Sequence, residues 1–254
     1  MNPALKRVLR RMLPRTLKAH RIRGGLIRNY QIVTSWHDYP AAILGTTEKP
    51  LLEWFVANAR AGETWLDIGA HYGYTAIALA HCVGAQGRVF AFEPMLTSAG
   101  CIAETRRLNH FTQLTIVPFA LSDARGLGLE QLPVVRGMAD STLKTNAGAD
   151  AWHEQLLVAR LDEIWSALCG DNVQVHGVKI DVQGMELHVL RGMMQLLQTQ
   201  HPKLVVEIHA GVSRAELRAL VQQAGYARPA IPIEPAADET EAQFLDDTSY
   251  AFLV

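Results

Sequence analysis

The run Asp67-Ile68-Gly69-Ala70-His71-Tyr72-Gly73-Tyr74-Thr75 concentrates residue types that bind a nucleoside-like ligand. It follows Thr64-Trp65-Leu66, a short apolar stretch suited to a buried parallel strand. It leads into Ala76-Ile77-Ala78-Leu79-Ala80, which reads as a packed helix. A strand, a glycine turn and a helix in that order aim backbone N–H groups and a helix N-terminus at a ligand. The acid precedes the glycines, and these are spaced Gly69-x-x-x-Gly73, unlike the Gly-x-Gly-x-x-Gly of dinucleotide dehydrogenases. A strand-end carboxylate in front of such a turn suits a cationic or hydroxyl-bearing ligand, and S-adenosylmethionine is both. The expected cofactor set in this stretch is Asp67, Gly69, Ala70, His71, Tyr72, Gly73 and Thr75.

Ligands of parallel sheets lie at the carboxyl ends of the strands, which selects further residues. Glu93, in Phe92-Glu93-Pro94, stands twenty positions past Gly73, where an acid is suited to accept from both ribose hydroxyls. Glu93 and Pro94 therefore join the set; the alternative is a solvated strand-end carboxylate. In Ala120-Leu121-Ser122-Asp123, Asp123 is placed to accept from an adenine amino group with Ser122 at the ring edge. Taken alone, Ser-Asp after a strand is more often a turn or cap. A further strand ends Val178-Lys179-Ile180-Asp181, bringing Asp181 opposite Asp67 and Glu93, and another ends Val206-Glu207-Ile208-His209. Period two puts Glu207 and His209 on one side. Asp181, Glu207 and His209 are the catalytic candidates, because methyl transfer from a sulfonium to a hydroxyl requires removal of the acceptor's proton. His209 has a near-neutral intrinsic pKa, whereas a carboxylate cluster holding a divalent cation would acidify the hydroxyl instead. Spacing leaves both routes open, and no metal ligands are assigned.

These residues need a rigid frame. Candidate strands are 64–68, 88–93, 114–118, 175–180, 203–208 and 248–254, with helices near 75–82, 98–109, 185–197 and 214–224. The alternation predicts an α/β fold, a mostly parallel sheet with helices on both faces. A helix over 50–59 and a short strand at Ile32-Val33 precede it. Short strands at 127–129 and 156–161 flank a loop over 136–149, and 231–247 reads as a loop before the final strand.

Net charge is −1 over 254 residues, but residues 1–37 hold nine basic side chains and no acidic one. Leu5, Val8, Leu9, Met12 and Leu13 share one helical face, with Lys6, Arg7, Arg10 and Arg11 opposite. A basic amphipathic arm over 1–30 is thus expected ahead of one domain over 31–254. It is suited to docking on the body or to peripheral contact with an anionic membrane through residues 1–28. Cys82, Cys101 and Cys169 are scattered and odd in number, which favours a reducing compartment over a disulfide framework. No apolar run has transmembrane length and no signal-peptide core is present, so a cytoplasmic protein, peripheral at the inner membrane surface, is expected.

The chain resembles FkbM-type S-adenosylmethionine-dependent methyltransferases over roughly 47–208. The resemblance rests on Asp67-Ile68-Gly69-Ala70, Gly73 and Thr75, Phe92-Glu93-Pro94, Ala120-Leu121-Ser122-Asp123, Leu161-Asp162-Glu163-Ile164, Lys179-Ile180-Asp181-Val182 with Gly184 and Glu186, Leu190 and Gly192, and Glu207-Ile208. It implies a Rossmann-like class I methyltransferase fold, a seven-stranded sheet with an antiparallel final strand, and O-methylation of a carbohydrate, glycolipid or polyketide-like hydroxyl. It assigns Asp67, Gly69 and Gly73 to the cofactor's methionine end, Glu93 to its ribose, and Ser122 with Asp123 to its adenine. His71 stands where the family usually has Asn, Gln183 where it has Glu, and Met185 where it has Ala. If that Glu were the base, Gln183 removes it and shifts the role to Asp181 or His209. Two other classes were weighed. A nucleic-acid methyltransferase would use the basic arm, but Asp181-Val182-Gln183-Gly184 lacks the proline-aromatic platform that stacks a flipped base. A non-catalytic nucleotide-binding or membrane-docking module conflicts with the intact set of strand-end acids.

Overall fold

Near-continuous apolar strands form a parallel sheet only if both faces are covered, and the chain supplies a cover for each. The structure, a computed structural model, describes residues 13–135, 138–139, 153–170, 172–237 and 239–254. The helix expected over 5–13 and the loop expected over 136–149 lie almost wholly outside these residues. The order begins β1 (Lys18–Arg21), β2 (Gln31–Thr34), α1 (Pro40–Leu44), α2 (Lys49–Asn58), β3 (Thr64–Ile68) and α3 (Tyr74–Val83). It continues β4 (Arg88–Phe92), α4 (Leu96–Leu108), β5 (Leu114–Val117), β6 (Ala120–Leu121), β7 (Gly128–Val135), β8 (Met138–Ala139) and β9 (His153–Ala159). It ends α5 (Leu161–Cys169), β10 (Gly177–Ile180), α6 (Glu186–Gly192), α7 (Met194–Gln200), β11 (Lys203–Ile208), α8 (Arg214–Gln223), β12 (Ile231–Pro232) and β13 (Thr248–Phe252).

Seven strands lie in the order β5-β4-β3-β10-β11-β13-β12. β5, β4, β3, β10 and β11 are parallel, and β13 runs antiparallel to β11. The expected α/β sheet with its reversed final strand is therefore present. Chain direction across the sheet switches between β3 and β10, so a crevice must open where these neighbours end. Trp65 packs into the core on one face while Leu66 and Ile68 pack on the other. The same alternation sends Val178 and Ile180 to the second face, leaving Lys179 on the first beside Asp67, its register partner.

The first face is covered by α3, which is buried along nearly its whole length because a further layer lies over it. Ile22, Ile27, Ile32, Leu51, Leu52 and Phe55 join α3 in one apolar cluster. β1 pairs antiparallel with β2, so the boundary expected after residue 30 falls inside this packed hairpin region. The helix expected over 185–197 is two helices. Met193 leaves helical geometry at φ −125, and the N–H groups of Gln195 and Leu196 donate to Asp162 at 2.9 and 3.0 Å. Asp162 of the Leu161-Asp162-Glu163-Ile164 motif is thus a helix cap. The short strands expected at 127–129 and 156–161 belong to a four-stranded sheet ordered β6-β9-β7-β8, in which β7 extends to Val135 and β9 begins at His153.

Gly69 is required by contact as well as by conformation. Its φ is +81, and a Cβ there would stand 1.7 Å from the Asp181 carbonyl oxygen, a backbone atom unable to move aside. Gly69→Ala is expected to lose about 3 kcal/mol or more of stability, combining a left-handed backbone with overpacking. Urea unfolding measures it; an unchanged midpoint would show that the β3 and β10 exits are not in contact.

Candidate active site

The crevice beyond β3, β4, β10 and β11 is a cavity of about 310 Å³, within the size range of small-ligand sites. The turn after β3 folds back on β4: the N–H groups of Gly69 and Ala70 both donate to the Phe92 carbonyl, at 3.0 and 3.1 Å. His71 then takes a left-handed conformation at φ 50, and its N–H donates to Glu93 Oε2 at 2.7 Å. Met95 N–H donates to Glu93 Oε1 at 2.9 Å. Both carboxylate oxygens are thus fixed by backbone while the group still lines the cavity. Burial pushes Glu93 up to about 8, against the lowering effect of those two N–H bonds.

Of the residues expected at the cofactor, Gly69, Ala70, His71, Thr75, Glu93 and Pro94 line the cavity. Asp67 lies beneath it, fully buried, accepting from the Thr75 hydroxyl at 2.7 Å and paired with Lys179 Nζ at 3.2 Å. Tyr72 points toward Asp38, donating its hydroxyl at 3.2 Å. Gly73, at φ +84, begins α3 against Ile102. Ser122 and Asp123 sit outside the lining. Asp123 is held instead by His188 at 2.8 Å and Arg191 at 3.4 Å, both on α6. The corresponding cavity wall is largely apolar, formed by Phe119, Ala120, Leu121, Leu132 and Leu156, with Glu130 beside them.

The catalytic candidates do converge. Asp181 and Glu207 line the cavity, and His209 Nε2 lies 3.6 Å from Asp181 and 3.7 Å from Glu207. Lys179 Nζ sits 3.3 Å from Asp181 and donates to the Gly69 carbonyl at 3.2 Å. Burial works against the Asp181 charge, but Lys179 and His209 outweigh it and hold this carboxyl below its ordinary value. Glu207 is driven the other way, up to about 8, by the Asp181 charge and then by burial. His209 is enclosed. Its Nδ1 meets Glu186 Oε1 at 2.7 Å, and Glu186 also accepts from Gly184 N–H at 3.1 Å. Burial disfavours its charge, yet Glu186, Asp181 and Glu207 together raise His209 to about 9. Its charged form is thus favoured over that of an ordinary imidazole, which works against the free-base role expected from its type.

Residues without a local sequence signature complete the cavity. Asp38, Tyr39 and Glu48 come from the segment that covers α3, and the Tyr39 ring lies 5.3 Å from that of His71. Burial lowers His71 to about 4, so it is neutral, and its Nε2 is buried without a partner among the described residues. The Tyr74 hydroxyl is likewise buried and unpartnered. The orphaned nitrogen of the cavity-lining His71, a turn that forbids a Cβ and a carboxylate pre-oriented by two N–H bonds fit a nucleoside-bearing cofactor.

Fold and crevice together define a class I S-adenosylmethionine-dependent methyltransferase. The methyltransferase FkbM domain profile matches residues 67–227, and the chain belongs to that family. It is 27% identical over 188 residues to the hexuronic acid methyltransferase AglP of Haloferax volcanii, covering 70% of this chain and 69% of AglP. The crystal structure of methyltransferase FkbM from Methylobacillus flagellatus KT superposes with a TM-score of 0.50 at 16% identity. That match takes in 82% of this chain but spans about half, 51%, of the other.

The raised groups have a consequence for stability. Above the ordinary histidine value of 6.5, the folded protein retains protons on Glu93, Glu207 and His209 that the unfolded chain has released. The native state then binds more protons, so stability falls as pH rises to about 9. His71 acts oppositely, but only below 6.5. Thermal melts of the cofactor-free protein should therefore shift downward from pH 6.5 to 9, and Glu93→Gln should flatten part of that slope. A melting temperature that climbs over this interval would contradict the assignment.

Proposed function

We propose that this methyltransferase transfers the methyl group to a hydroxyl of a carbohydrate acceptor, with Glu207 as the proton acceptor. The observation that carries the reading is the meeting of Asp181 and Glu207 in the cavity that Gly69, His71 and Glu93 also line. Bound S-adenosylmethionine supplies an electrophilic methyl group on a sulfonium. Glu93 is suited to the ribose hydroxyls, the Phe119–Leu121 wall with Leu132 and Leu156 to the adenine ring, and the Gly69–His71 turn to the methionine end. Asp181, its charge held by Lys179, lies toward the sulfonium side and orients the acceptor hydroxyl. With the cofactor bound, its methyl group would go to the acceptor oxygen while a Glu207 Oε takes that hydroxyl's proton. A base whose pKa lies near the working pH is well matched to that transfer. His209, cationic and fixed by Glu186, positions Glu207 rather than taking the proton. The hexuronic acid named for AglP supports a sugar acceptor.

A second reading concerns location. Arg15, Lys18, Arg21, Arg23 and Arg28 are exposed, and the sequence before Asp38 has no acid to offset them. We infer peripheral attachment of residues 1–28 to an anionic bilayer, which would bring a lipid-linked acceptor within reach. Among the described residues no helix is long and apolar enough to cross a membrane.

Two measurements test these readings. For the wild type, kcat/KM should rise with pH and level off beyond about 8 as Glu207 ionises. Glu207→Gln should lower kcat by roughly 10²–10⁴-fold and abolish that rise while binding S-adenosylhomocysteine. An unaltered pH profile in Glu207→Gln would remove Glu207 from the role. In liposome flotation, binding to phosphatidylserine vesicles should weaken with salt and with deletion of residues 1–28; insensitivity to both would rule out electrostatic attachment.

A further inference from the structure

The acceptor side of the cavity carries a charge imbalance that bears on which sugar it takes, given a carbohydrate acceptor. Glu48 and Glu207 line the cavity and also form the wall of an adjoining groove of about 440 Å³. That groove continues past Glu234 and Asp247 and the hydroxyl residues Thr46 and Thr248. Among the described residues no basic side chain lines it. The cavity has one lysine, Lys179, and its ammonium is already shared by Asp67, Asp181 and the Gly69 carbonyl at 3.2–3.3 Å. Glu48 and Glu207 are poorly served by comparison. Glu48 accepts a long 3.5 Å bond from the Thr47 hydroxyl, and the cation nearest Glu207, His209 Nε2, is 3.7 Å away.

An independent feature marks this end of the cavity as a place for a polar ligand. Tyr74 is 2% exposed and lines the cavity, and its hydroxyl has no partner among the described residues. It lies within electrostatic reach of Glu48. A buried phenol without a partner carries a desolvation cost that a bound hydroxyl or amine removes.

We propose that the Glu48–Glu207 wall and the groove behind it bind an acceptor sugar bearing a free amine and turn away one bearing a carboxylate. An ammonium placed there favours the ionised form of two acids that burial and neighbouring negative charge otherwise raise. A uronate would add a like charge without a cation to receive it. This chain would thus select against the acceptor type for which AglP is named. Neutral sugars fall between, since their hydroxyls donate to carboxylates without relieving the charge.

The test uses the full chain saturated with S-adenosylhomocysteine and titrated calorimetrically with length-matched oligomers of glucosamine, glucose and glucuronic acid. The glucosamine oligomer should bind tightest, about tenfold over the glucose oligomer, with an advantage that shrinks as salt rises. The glucuronic acid oligomer should be weaker than glucose by a similar factor. Glu48→Gln and, separately, Glu234→Gln should each narrow the amine preference, so that one variant remains informative if the other misfolds. Glucuronic acid binding as tightly as glucosamine would overturn the inference and leave the carbohydrate reading standing. Failure of all three oligomers to bind protein that still binds S-adenosylhomocysteine would overturn both.

Discussion

A lysine in the middle of a buried parallel strand is the constraint around which this active site is organised. Lys179 is 3% exposed, and moving an ammonium out of water costs several kcal/mol even after relaxation. That cost is met by three oxygens: Asp67, Asp181 and the Gly69 carbonyl. Each belongs to a different part of the crevice. Asp67 is the register partner on β3, Gly69 begins the cofactor turn, and Asp181 begins the chain's departure from β10. One cation therefore fixes the two diverging chain segments at the point where the sheet splits. The Gly69–Asp181 backbone contact, too close to admit a Cβ, follows from that pinning.

The same pinning sets the acid–base character of the cavity. Because Lys179 keeps Asp181 ionised, the Asp181 charge raises its neighbour Glu207 and, with Glu186, raises His209. Two similar carboxylates thus differ in character: one a standing charge, the other raised to about 8. Gln183 fits this arrangement. Its amide group lies 2.8 Å from His209 Nε2 and 3.3 Å from Asp181 and bridges the two.

Much of this was legible along the chain, for reasons that also mark where legibility stops. Strand ends declare themselves through apolar runs followed by acids or glycines, so the positions of Asp67, Glu93, Asp181 and Glu207 at one mouth could be read directly. Which face of the sheet each acid occupies could not, because it depends on what covers the sheet. Asp67 reads as a ligand-facing acid, yet α3 and the layer over it close that face and make Asp67 a counter-ion. A signal was present: Lys179 between Val178 and Ile180 demands a buried carboxylate in register. Asp123 went astray because its partners, His188 and Arg191, are more than sixty residues away. His209 reads as a base because Glu186, which holds its proton, arrives from another element.

The limits of the family match, residues 67–227, divide the crevice by task. The residues around Lys179, the cofactor turn, Glu93 and Glu207 all lie inside it. Asp38, Tyr39, Thr46 and Glu48 precede it, and Glu234, Asp247 and Thr248 follow it, yet these line the cavity or the groove that adjoins it. The outer segments pack on the sheet through apolar contacts made by Ile22, Leu51, Phe55 and Tyr250. Of their polar positions, Glu48 still acts on the Lys179 cluster, its charge helping to raise Lys179 and Glu207. Walls encoded outside the shared centre are where a fold of this kind can vary its ligand without rebuilding the sheet and turn that carry the site.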